Sequence, residues 1–415
     1  MDGAEEMDIE GQSQALPISN NSKRFGIRNS IQTNFADDYV FQIVPKNDWT
    51  SMAVSLSTNA IKLYSLATAQ YIGECNGHSS TINQISFSDP SSPHVLHSCS
   101  SDGTLRAWDT RSFQQVFSVN AGPSQEIFSF SFGGASHNLL AAGCSSQILF
   151  WEWRTKRQVA CLEESHTEDV TQVCYFTSLL THFPSIVGCK PLSLLCKAMF
   201  SKVHFIPGYD DRLISASVDG LMCLFDTGGD INDDDQMVSV LNVGTSIGKV
   251  GFLGEKNQKL WCLTHIETLS VWDWKDERTE ASFEDARSLA SKSWMADNVD
   301  YFVDCHYSVE EDRFWVIGGT NGGSLGYFPV TYKETRAIGP PEAVLCGGHE
   351  GIIRSVLSGV PGQTMDNHGI FGWTGGEDGR LCCWLSDGSA TSQSWISTLT
   401  LKSDKTRRKG RHSPY

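Results

Sequence analysis

The chain has 415 residues, 40% of them apolar and 10% aromatic, and a formal net charge of −16. So acidic a chain is a poor general nucleic-acid binder, because phosphate contacts call for a net basic surface. Thirty-seven glycines against 13 prolines, many of them in Asp-Gly and Gly-Gly dipeptides, predict many short strands joined by tight turns rather than long helices.

In chain order, residues 1–24 carry about −3 and are expected to form an acidic disordered N-terminus. "MDGAEEMDIE" contains no secretory signal, and the 13 cysteines include no CxxC pair. They therefore read as buried thiols of an intracellular protein, with neither a disulfide framework nor structural zinc. An aromatic residue then ends a short apolar strand seven times: Tyr64, Trp108, Trp151, Phe225, Trp272, Tyr327 and Trp384, at spacings of 44, 43, 74, 47, 55 and 57 residues. Three of these units are more complete. "GHSSTINQISF" with "VLHSCSSDGTLRAWDTR", "SHTEDVTQV" with "RLISASVDGLMCLFDT", and "GGHEGIIRSV" with "IFGWTGGEDGRLCCW" each hold a His, an alternating strand, an Asp-Gly turn and the aromatic.

This pattern resembles the WD-repeat β-propellers, whose repeat of about 40–45 residues forms one four-stranded blade. The likeness spans roughly residues 35 to 401. "DDYVFQIVPKNDWTSMAVSLSTN", "WCLTHIETLSVWDW" and "DNVDYFVDCHY" are similar to the WD repeat-containing protein 89 family. The resemblance implies an all-β, seven-bladed WD-repeat propeller over 25–401, with disordered termini and one inserted loop in blade four. In blades of strands a to d, the d–a and b–c connections share one face. His78 can then pair with Asp102 and reach Ser98 or Ser100, which reaches the Trp108 indole. His349, Thr374, Asp378 and Trp384 repeat the set. In blade four His166, Ser215 or Ser217, and Asp219 do so without an indole, because the aromatic is Phe225. These sets read as structural rather than as catalytic triads, since they satisfy polar groups that would otherwise be buried unpaired.

The spacing of 74 between Trp151 and Phe225 places an insertion at 174–203, within or immediately after strand a of blade four. "VTQVCYF" and "SKVHFIP" are rival candidates for that strand. The insert reads as a translated intron or unusual splice form, as a genuine a–b loop, or as a lipid- or ligand-contacting segment. Pro184, Gly188, Lys190, Pro191 and Lys197 break it as a membrane span. "DINDDD" at 230–235 lacks the glycine and glutamate of a calcium loop and reads as a solvated c–d loop. "GTSIGKV" at 244–250 fails the phosphate-loop pattern, and "GHSST" and "GCSSQ" fail the nucleophile elbow. Residues 276–300 favour a short helix over a strand, as rim decoration or a partner contact. Strand d of blade seven is either 394–401 or an N-terminal segment near 25–32; propellers usually close with strands from both chain ends, which disfavours 394–401. The tail 402–415 carries about +5 and reads as a nuclear or nucleolar import signal, an RNA-touching arm, or a solvated disordered end.

"WDTR" and, one blade later, "WEWR" resemble the W-[DE]-x-R element of WD-repeat receptors of cullin-4 ubiquitin ligases, where it contacts the damaged-DNA-binding adaptor. The resemblance implies a partner surface of Asp109, Arg111, Glu152 and Arg154 on the c–d face. The blade-four insert is expected to emerge beside it and to block it. The expected function is a non-enzymatic interaction scaffold in the nucleus, with the cytoplasm as the alternative place and a cullin-4 substrate receptor as the alternative role. No catalytic residue, cofactor, metal or membrane contact is expected.

Overall fold

The computed structural model describes residues 23–32 (backbone), 38–89, 91–134, 138–163, 166, 202–229, 231, 236–294, 297–358 and 370–385. Their strands form seven four-stranded antiparallel blades in a ring. Strands a to d of blade one are Val40–Pro45, Ser51–Leu56, Ala60–Ser65 and Tyr71–Asn76, and those of blade two are Ile82–Phe87, Val95–Ser100, Thr104–Asp109 and Gln114–Asn120. Burial explains the sequence pattern. Strand b of blade one is buried at every position, because blades pack on both of its faces, whereas strand d at the rim is largely exposed.

Seven apolar clusters hold the ring, and each joins two consecutive blades. Ile61, Leu63 and Cys75 of blade one, for example, pack with Ile85, Leu96 and Trp108 of blade two. The Asp-Gly turns between strands b and c fit the same crowding. Gly103 has φ 75° and Gly379 φ 69°, and a Cβ on them would come within 2.5 Å of the Gln125 carbonyl oxygen and 2.6 Å of that of Asp38, on the segments leading to the next blade. Only glycine tolerates both the conformation and the approach.

Blade seven is completed by strand Lys23–Gln32, so the N-terminal candidate closes the ring. It pairs antiparallel with strand c, Arg380–Leu385, from Gly26 to Gln32, while Lys23–Phe25 run parallel to Ala343–Leu345 of blade six. One segment thus stitches two blades. It begins two residues inside the expected acidic tail; the rest of that tail, the other closing candidate at 394–401 and the basic tail lie outside the described residues.

Blade four takes "SKVHFIP": strand a is Lys202–Ile206, paired with Tyr209–Ala216. Val203, assigned to the insert by sequence, is a fully buried strand residue. The position of the insert also needs correcting. His166 bonds to Asp219 in the b–c turn, and strand a starts at Lys202, so both ends of 167–201 lie on the d–a/b–c face. The insert therefore precedes strand a, and its described flanks, His166 and Lys202, lie on the face opposite the c–d turns. Residues 167–201 themselves lie outside the described residues.

The 276–300 stretch also differs from the helix expected of it. Arg278–Phe283 forms strand d of blade five, and only Ala286–Ser293 is helical. Ala286 and Ala290 of this helix are buried in the cluster between blades five and six, so it fills that wedge. Burial pushes the thiols of Cys75, Cys144, Cys223 and Cys262 up to about 12.

Candidate functional site on the c–d face

The His/Ser/Asp sets come together first as internal struts. In blade two His78 Nδ1 donates to Asp102 Oδ2 at 2.9 Å, and Nε2 lies 2.7 Å from Ser98 Oγ. The carboxylate accepts only, so it places the imidazole proton on Nδ1. Nε2 then accepts the Ser98 hydroxyl, whose oxygen accepts the Trp108 indole N–H at 2.8 Å. Burial alone would raise Asp102, but bonds from His78, Thr104 and Ser79 outweigh it and hold the carboxyl well below the usual range. His349, Thr374, Asp378 and Trp384 repeat the chain at 2.8–3.1 Å. Blade four uses Ser215, 2.8 Å from His166 Nε2, and reaches no indole because the aromatic is Phe225; the Ser215 side chain bonds the Cys223 thiol instead. Ser98, Ser215 and Thr374 are wholly buried. No substrate reaches these hydroxyls.

The c–d hairpins of blades two and three present the other four predicted residues, Asp109 and Glu152 ending their strands c in equivalent register. The two hairpins differ in how they hold their arginines. Asp109 grips Arg111 through two bonds, Nε–Oδ1 3.0 Å and Nη2–Oδ2 2.7 Å, and accepts its backbone N–H at 2.9 Å. Those bonds hold the Asp109 carboxyl well below its ordinary value. The Arg111 side chain is still 67% exposed. Glu152 instead accepts the Thr155 hydroxyl at 2.7 Å, and Arg154 projects into solvent without an ion-pair partner among the described residues.

Sequence reading missed three things here. Arg157, three residues beyond the motif, is exposed on the same hairpin as Arg154. Trp153, inside the motif, roots the hairpin: its ring lies 3.9 Å from Phe117 and 5.1 Å from His97 by centroid. His97 is 2% exposed, and neither ring nitrogen has a partner among the described residues. The cluster of cations in "WRTKR" was the available signal. Most of the acidic loop at 230–235 lies outside the described residues, and among those described no cluster of His, Cys, Asp or Glu could hold a metal. No described helix is long and apolar enough to cross a membrane.

Comparison with known proteins agrees with this architecture. Residues 69–109 match the family model "WD domain, G-beta repeat". The chain is 59% identical to WD repeat-containing protein GTS1 of Arabidopsis thaliana, over 99% of this chain and 98% of that protein. It is 30% identical to the WD repeat-containing protein 89 homolog of Dictyostelium discoideum, over 88% and 89%. An uncharacterised WD repeat-containing protein of Schizosaccharomyces pombe is 20% identical over 68% and 77%.

Proposed function

Because the chain belongs to the WD-repeat β-propeller family that includes the WD repeat-containing protein 89 homologue, we propose that it is a non-enzymatic platform on which other proteins assemble in the nucleus. WD-repeat proteins generally serve as interaction scaffolds, and a ring locked by seven inter-blade cores offers rigid, loop-built faces. One observation carries the reading. The groups that resemble catalytic triads are buried in the fold, while exposed arginines stand on adjacent c–d turns. The basic tail 402–415 supports the nuclear assignment, and the cytoplasm is the alternative. A tagged chain lacking 402–415 that still enters the nucleus would remove that assignment.

A second reading is a substrate receptor of a cullin-4 ligase that docks the adaptor through Asp109/Arg111 and Glu152/Arg154. It is favoured by both arginines projecting from one face in equivalent hairpins. Affinity purification with mass spectrometry tests both readings, comparing the natural chain, Arg111→Ala/Arg154→Ala, and a form lacking 174–201. Loss of the ligase adaptor from the arginine variant alone supports the receptor. Recovered partners without the adaptor leave the platform.

A further inference from the structure

Nine of the 11 arginines whose side chains are described already hold a carboxylate or a carbonyl. Seven of these are ion-paired with carboxylates, and Arg287 and Arg336 reach the carbonyls of Asp300 and Glu280. Arg154 and Arg157 stand apart. Among the described residues neither has a hydrogen-bond or ion-pair partner, and the exposed Lys156 lies between them. Arg157 faces Glu152 across the hairpin, but that carboxylate is turned to Thr155.

The turn is also rigid. The Trp153 N–H donates to the Asn138 carbonyl at 2.8 Å, and the Lys156 N–H to that of Glu152 at 3.0 Å. Trp153 packs on Phe117, and the Lys156 ammonium lies 4.8 Å from the same ring. Unpaired guanidinium forks on an ordered turn lose little freedom when they bind, which favours bidentate capture of carboxylates.

We propose that the Arg154–Arg157 turn of blade three docks an acidic segment of a protein partner. This deepens the platform reading and rests on it. Carboxylates are favoured over a nucleic acid because the chain's net charge of −16 repels a long polyanion. Two exposed valines on neighbouring rim strands, Val116 at 55% and Val159 at 37%, suit a segment in which acidic residues are interspersed with apolar ones.

The test is fluorescence anisotropy of the full chain with a fluorescein-labelled dodecapeptide alternating glutamate and leucine, at about 50 mM salt, where screening is weak. Saturable binding is expected, weakened about tenfold or more by Arg154→Glu/Arg157→Glu. Lys256→Glu/Lys292→Glu reverses two exposed charges elsewhere and should leave binding unchanged. All four positions are exposed, and thermal melts check that both variants fold. Equal loss in both variants, or loss in neither, overturns the site. Displacement by single-stranded DNA as effective as by unlabelled peptide overturns it in favour of a general polyanion surface. If the peptide fails to bind while purification from cells still recovers partners, this site falls and the platform stands. If purification is empty, the platform itself falls.

Discussion

In blade two one hydroxyl, that of Ser98, serves both His78 and Trp108, whereas Ser215 in blade four serves His166 and the weakly bonding thiol of Cys223. Ser98→Ala therefore strands two buried polar groups and should cost about 2–6 kcal/mol, at roughly 1–3 kcal/mol for each group. Ser215→Ala strands one strong partner, His166, and one weakly bonding thiol, and should cost about half as much; parallel urea titrations compare them. His97 titrates in the opposite sense to a residue gaining a partner. Burial pushes its pKa down from 6.5 to about 4, so its neutral form contributes stability above 6.5 that is lost as pH falls through about 4. His97→Phe keeps a ring among Phe130, Phe132 and Trp153 without the proton. Its stability should fall less between pH 6.5 and 4, by about 3 kcal/mol relative to the natural chain. Identical acid slopes in pH-dependent denaturation would refute this.

Among the elements, strand a does more than line the ring's centre. In five blades its register with strand b shifts near its start, as between Val40 and Gln42 or Ile82 and Gln84. Such an irregularity re-aims the side chain that follows, and in four of these blades that side chain reaches the next blade. Gln42 accepts the Ile85 N–H, Ser355 accepts that of Ile43, and Lys249 donates to the Val303 carbonyl. Gln84 makes two bonds, accepting the Phe130 N–H at 3.0 Å and donating to its carbonyl at 3.1 Å. In blade three Ser129 and Ser131 accept the Val203 and Phe205 N–H groups. Gln84→Ala should cost about 1–3 kcal/mol and speed hydrogen exchange at the Phe130 amide. Unchanged protection there would show that the bond carries no weight.

For the molecule as a whole, closure rests on a single segment. Removing residues 1–32 leaves blade seven without its outer strand and takes away the backbone link to blade six. The edge of Arg380–Leu385 would then be bare, and an unpaired edge recruits other chains. The truncated chain should melt several kcal/mol less stably and self-associate; size-exclusion chromatography and denaturant titration measure both. A monomer of unchanged stability would mean that another segment closes the ring.

The seven third-strand aromatics and the His, Asp-Gly and hydroxyl sets were legible because they are local. They record which residues face a core and which turns need φ > 0, and those demands act within one repeat. The relation of the signature hydroxyls to indole or phenyl followed from strand pairing inside a single blade. What joins distant parts of the chain was decided only by the tertiary structure. Closure pairs Ile27 with Trp384, where sequence left two candidate strands and disfavoured 394–401 only on the habit of propellers to close with both chain ends. The face from which the blade-four insert departs depended on which of two similar strands entered the sheet, and the buried Val203 shows that it was the later one. Arg111 and Arg154 occupy matching motif positions, yet one is clasped and one is free, because Asp109 turns to its arginine while Glu152 turns to Thr155. A pattern of residue types specifies burial and turns, but pairing among charges is chosen by neighbours in space.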